Sequence, residues 1–215
     1  MSVLGERREG AEEGGVISPR YAKDLEGLKR SLEARIKERL GEMFDEYEVD
    51  VKVKFEPLFS ELVREDPNDV NVYIDIVIGR RYYIGDLAES LAEGFDLDEY
   101  CTAHDIPEDR CEEEAEKAFY EALEEEVEEI NSQYAYFIKG KIEMEDWGRK
   151  LIFETWPLTC SKRDAKYYTA CYAGLGVRVI LENARLDALR QEAGSLAEDV
   201  VNMITATYNL YRGLW

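Results

Sequence analysis

The chain has 215 residues, 48 of them acidic and 27 basic, for a formal net charge of −21. Such a charge opposes non-specific binding to nucleic acid or to an anionic membrane, because both partners are negative as well. Hydrophobic residues make up 45% of the chain, which is enough for a sizeable core and excludes global disorder.

No apolar run is long enough to cross a bilayer, and the opening residues MSVLGERREGAEEGG lack the apolar block of a signal peptide. A soluble, cytoplasmic protein is expected. The acidity fits three explanations: solvation in a salty or hot cytoplasm, a surface for a basic protein partner or for self-association, or mimicry of a nucleic acid.

In chain order, residues 1–17 are rich in Gly, Glu and Arg with no apolar period, which predicts a flexible tail. Residues 18–215 are expected to form one domain. Ser18-Pro19 supplies an N-cap and a proline at the first helical position. Tyr21, Leu25, Leu28, Leu32, Ile36, Leu40, Met43 and Tyr47 then recur at spacings of three and four, the pattern of a long amphipathic helix. Val49, Val51, Val53 and Phe55 alternate with polar residues and predict a strand exposed on one face. Pro57 weakens that strand and begins a connection running through Pro67.

Val70, Val72, Ile74, Ile76 and Ile78 alternate with Asn71, Tyr73, Asp75 and Val77, which reads as a strand with one buried face. Gly79-Arg80 predicts a tight turn, with a short return strand over 81–85. A helix beginning at Asp86 follows, opened by a capping-box-like Asp86-Leu87-Ala88-Glu89. Residues 95–107 read as a connection.

A longer helix spans about 108–130. Its apolar face carries Cys111, Ala115, Ala118, Phe119, Ala122, Leu123, Val127 and Ile130. The opposite face carries Glu112, Glu113, Glu116, Glu121, Glu124, Glu125 and Glu128. Like charges at helical neighbours weaken such a helix slightly, so packing or counter-ions must offset them.

Three strands are then predicted: 134–144 with a bulge at Gly140, 150–156 after a turn at 146–148, and one marked by Leu175, Val177, Val179 and Leu181. Asn183 caps the last helix, whose stripe is Leu186, Leu189, Ala193, Leu196, Val200, Ile204 and Tyr208. Strand runs separated by helix runs predict an α+β fold, with an antiparallel or mixed sheet of five to six strands and long amphipathic helices packed on it.

Three places carry candidate chemistry. The segment Ile74–Ala88, IDIVIGRRYYIGDLA, sets Asp75 on a strand and Asp86 after a tight turn. It resembles the core of the PD-(D/E)xK nuclease superfamily. That resemblance implies Asp75 and Asp86 as catalytic carboxylates holding Mg²⁺, with phosphodiester hydrolysis as the activity. The family's lysine position is occupied by Ala88, and Glu33 and Glu38 are available upstream.

Cys101, His104 and Cys111 have a spacing compatible with zinc, with Cys160 or Cys171 as a further ligand. The same cysteines are spaced to close two small disulfide loops, Cys101 with Cys111 and Cys160 with Cys171, or to remain buried thiols. Lys162, Arg163 and Lys166, with Tyr167, Tyr168 and Tyr172, form a basic and aromatic island that could bind phosphate or stack a base, and that is better suited to neutralising the acidic helices of its own domain or of a neighbouring subunit. The leading expectation is a non-catalytic macromolecular binding or assembly protein using the acidic face of 108–130. Metal-dependent hydrolysis at Asp75 and Asp86 is the alternative.

Overall fold

A computed structural model describes residues 18–58, 68–146 and 149–213. The tail expected over 1–17, the connection through Pro67 and the tip of the turn at 146–148 lie outside the described residues. Among the described residues five strands, β1 (Glu48–Pro57), β2 (Asp69–Tyr83), β3 (Gly140–Asp146), β4 (Arg149–Leu158) and β5 (Ala170–Arg185), form one sheet in the order β1-β2-β5-β4-β3, every neighbouring pair antiparallel.

The first helix, α1, spans Pro19–Met43. Ser18 Oγ caps it by accepting from the Tyr21 N–H at 3.2 Å, which holds one of the otherwise unpaired donors of the first turn. Leu32, Ile36 and Leu40 are fully buried along one side. Strand β1 (Glu48–Pro57) pairs with β2 (Asp69–Tyr83), and β2 pairs with β5 (Ala170–Arg185). The row Val51, Ile76, Val177, Thr155 runs straight across β1, β2, β5 and β4 (Arg149–Leu158). It faces α1 and the last helix, α6 (Leu186–Gly213).

Thr155 is the one buried polar side chain in this layer among the described residues. Its hydroxyl lies 2.7 Å from Tyr211 Oη and donates to the Ile138 carbonyl, so its burial costs little. The opposite face of the sheet carries no helix layer among the described residues. There Lys52, Asp75, Arg178, Glu154 and Lys141 form a row of alternating charge across all five strands, ending on β3 (Gly140–Asp146). Directly opposed unlike charges favour this register over a slip to either side.

Several elements differ from the sequence expectations. No turn occurs at Gly79-Arg80, and there is no return strand over 81–85. Strand β2 continues to Tyr83, paired with β5 along its whole length. Gly79 lies opposite Gly174, where the two backbones approach so closely that a Cβ on either glycine would collide with the other strand. The glycine serves close approach rather than reversal.

Helix α2 (Ile84–Gly94) follows directly, with Tyr83 as its N-cap and Asp86 inside the first turn; no capping box forms at Asp86. The connection after it holds a short helix, α3 (Leu97–Ala103), capped by Asp96, whose carboxylate accepts from the Glu99 N–H. Helix α4 (Glu108–Ser132) ends in turns that carry Tyr134 and Phe137 into the main core, so β3 starts only at Gly140. The loop after β4 folds as α5 (Lys162–Tyr167), opened by a capping box between Ser161 and Asp164. Asn183 sits in β5 with positive φ. The start of α6 is held instead by Asn68, whose side-chain oxygen accepts from the Asp187 N–H and whose carbonyl accepts from the Leu186 N–H.

Candidate functional site

The acidic helix α4 is built on a small second core. Its buried residues Leu123 and Val127 pack with Ile84 and Ala88 of α2, Cys160 of the segment before α5 (Lys162–Tyr167), Ala165 of α5 and Cys171 of β5. Asp109 and Glu108 sit in the first turn, where the helix dipole favours negative charge. Toward the other end, the Asn131 side chain clamps the Cys160 backbone. Nδ2 donates to the carbonyl and Oδ1 accepts from the N–H, each at 2.8 Å.

Two disulfides brace this end of the molecule. Cys101–Cys111 ties α3 to α4, and Cys160–Cys171 ties the segment before α5 to β5. These bonds consume the thiolates that a zinc site at Cys101, His104 and Cys111 would need. His104 is exposed, with its ring 4.4 Å from that of Tyr100. Among the described residues no three His, Cys, Asp or Glu side chains are grouped to hold a metal ion.

The nuclease-like arrangement at Asp75 and Asp86 is not assembled either. Asp75 lies mid-strand and pairs with Arg178 on the open face of the sheet. From Asp75 to the end of β2 at Tyr83 the strand runs roughly 25 Å, and Asp86 lies beyond it in α2. The two carboxylates therefore do not share one cation. Glu33 is engaged in holding the fold, its Oε1 accepting from the Val53 N–H at 2.8 Å.

The outward face of α4 is open. Glu112, Glu113, Glu116, Glu121, Glu125, Glu126, Glu128 and Glu129 are exposed. The helix carries twelve carboxylates against Arg110 and Lys117, a net of −10. Of the basic island, Lys162 reaches this ridge. Its Nζ lies 2.6 Å from Glu124 and 3.8 Å from Glu128. The hydrogen bond to Glu124, then the charges of both carboxylates, raise the pKa of its ammonium. Arg110–Glu114 and Lys117–Glu121 are pairs within the helix itself. The expectation that the island screens its own helices has a concrete counterpart at Lys162, and among the described residues the other exposed carboxylates of the ridge face solvent.

Beside the first half of the ridge lies a groove of about 450 Å³. Phe95, Leu97, Ala115, Phe119, Tyr120 and Tyr168 line it, with Glu112 and Glu116 on its rim. Phe95 and Phe119 meet edge to face at 5.9 Å. Tyr168 stacks on Tyr120 at 6.3 Å, and its hydroxyl donates to Tyr120 Oη at 3.2 Å. That hydrogen bond, with some burial and the Tyr120 and Glu116 charges, pushes the Tyr168 phenol up to about 12. It therefore stays neutral at physiological pH.

Tyr168 holds a left-handed backbone conformation as the C-cap of α5. Its stacking on Tyr120 and its hydroxyl bond to Tyr120 hold the ring against α4. The sequence marks Tyr168 as part of an aromatic island and Phe119 as apolar, but nothing in it joins them to Phe95 and Tyr120. Aromatic faces beside carboxylates form a setting that attracts an organic cation.

The chain matches no protein-family model, and no curated protein or solved structure matches it. No helix among the described residues is long and apolar enough to cross a membrane.

Proposed function

We propose that this is a non-catalytic binding protein that engages a basic protein partner through the ridge of α4. The groove of Phe95, Phe119, Tyr120 and Tyr168 takes one lysine or arginine side chain of that partner. The observation that carries the reading is the solvent-open net charge of −10 on α4 beside an aromatic groove rimmed by Glu112 and Glu116. Ridge charges steer the partner and set orientation, while the groove supplies the desolvated contact that holds it. A cytoplasmic location belongs to the same proposal, with bridges of the kind that persist in hyperthermophile cytosol.

The test compares two triple variants of equal charge change. One reverses Glu113, Glu116 and Glu121 on α4. The other reverses Glu192, Glu198 and Asp199 on α6, all exposed. Binding of a fluorescent arginine- and lysine-rich peptide is followed by anisotropy at physiological salt. The α4 variant is expected to lose about tenfold or more in affinity and the α6 variant little, because a screened surface acts over about 8 Å. Tyr168→Ala should weaken binding at constant net charge. Equal losses in the two triple variants, or no effect of Tyr168→Ala, refute the reading.

A further inference from the structure

The sheet has two edges, and they are treated differently. Along β1, α1 packs against the strand, and Glu33 accepts from the Val53 N–H, a backbone donor that points away from the sheet. Covering and capping an edge in this way prevents another strand from adding to it. Strand β3, at the other end of the sheet order, has no strand on its outer side among the described residues. On its helix-facing side Ile142 and Met144 are 54% and 48% exposed, and the neighbouring Ile138 is 49% exposed. Exposed apolar side chains on an open edge are what a docking strand would bury.

The sequence of that edge is Lys139-Gly140-Lys141-Ile142-Glu143-Met144-Glu145. Its charges are antisymmetric about Ile142. We propose that two copies of the chain pair β3 to β3, antiparallel, about a two-fold axis through Ile142, joining the two sheets into one of ten strands.

In this register Lys141 lies opposite Glu143 of the partner subunit, and Lys139 opposite Glu145 of the partner subunit. Ile142 meets its own counterpart, and Met144 faces the partner's Gly140, where no side chain competes for the space. Centring the axis one residue later sets Glu143 against itself, and one residue earlier sets Lys141 against itself. Parallel in-register pairing opposes lysine to lysine and glutamate to glutamate. Opposed unlike charges stabilise cross-strand pairs and like charges destabilise them, so the pattern selects one arrangement.

Within the chain Lys141 bridges to Glu143 at 2.6 Å and Lys150 to Glu143 at 2.9 Å, which leaves Glu143 ionised and placed at the seam. A seven-residue edge is small beside the roughly 1,600 Å² of a standard interface, so association in the micromolar range is expected. The α4 ridge takes no part in this pairing.

Sedimentation equilibrium of the full chain from about 1 to 200 μM tests it. Native protein should shift from monomer to dimer over this range. Lys141→Glu and Glu143→Lys should each be monomeric throughout, since each opposes like charges twice. An equimolar mixture of the two should recover dimer mass, because each variant then faces its complement. Lys139→Glu and Glu145→Lys repeat the experiment outside the ion pairs of Lys141 and Glu143, in case those variants fold poorly. A native chain that stays monomeric overturns the proposal. So does a dimer that survives every single variant, or a mixture of folded variants that fails to associate.

Discussion

The Cys160–Cys171 bridge closes a loop with a sequence separation of 11 between two buried half-cystines. Replacing both by alanine returns conformational freedom to the unfolded chain. For a loop of this size the entropic contribution is about 2.7 kcal/mol. The native state loses contacts as well, because both sulfurs lie in the small core under α4, with Leu123, Val127 and Ala165 around them. A total of about 3–4 kcal/mol follows. For a chain of this length that lowers Tm by roughly 6–15 °C.

Urea unfolding of oxidised native protein and of Cys160→Ala/Cys171→Ala, followed by circular dichroism, measures the difference. Hydrogen exchange should show the loss concentrated in α5 and the second half of α4, because the backbone of Cys160 also carries the Asn131 clamp. A difference below about 1 kcal/mol, or protection lost uniformly over the sheet, would refute the view that this bridge organises the α4 platform.

Asn68→Ala removes the side-chain acceptor for the Asp187 N–H at the start of α6. A loss of about 1 kcal/mol in urea unfolding is expected, the usual cost of a missing helix cap; an unchanged midpoint would mean water replaces it fully. Glu33→Ala uncaps the outward N–H of Val53. It should cost about 1–2 kcal/mol and raise self-association through β1, read by sedimentation; an unaltered association profile would show that α1 alone guards the edge. On the alkaline side, Tyr134 and Tyr136 have their phenols pushed well up, mainly by burial and then by hydrogen bonds with Tyr82 and Tyr47. A phenol raised on folding contributes stability that is whole below its unfolded value near 10 and is lost as pH rises through the folded value. Phenolate absorbance of the native protein should include a component near 12 that Tyr168→Phe removes. The Tyr134 and Tyr136 steps should coincide with unfolding, and their ionisation in the folded protein would contradict the burial.

The legible parts of this fold share one property. The alternation at Val49–Phe55 and Val70–Ile78, and the stripes of α1 and α6, are relations between residues two to four positions apart. Period and burial face are therefore written locally, and the buried residues of β2 are those the pattern names. The acidic face of α4 is visible in the same way. The groove beside it is not, since it joins Phe95, Tyr120 and Tyr168 from three separate segments.

The misread elements are those whose outcome depends on something distant. Gly79 looks like a turn residue until Gly174 is found across from it, where two missing side chains let the strands close and β2 run on to Tyr83. That continuity is what separates Asp75 from Asp86. Asn183 looks like a cap for α6, but Asn68, just before β2 and beside the end of β5, accepts from the Asp187 N–H instead.

By itself the sequence determined the class of the fold, the buried faces of its longest elements and the concentration of charge on α4, because these follow from spacing along one stretch of chain. Only the tertiary structure decided which cysteines bond, which edge of the sheet is guarded and which aromatic rings meet. Each of these depends on the approach of segments tens of residues apart or on the packing of whole elements, and no local pattern encodes that approach.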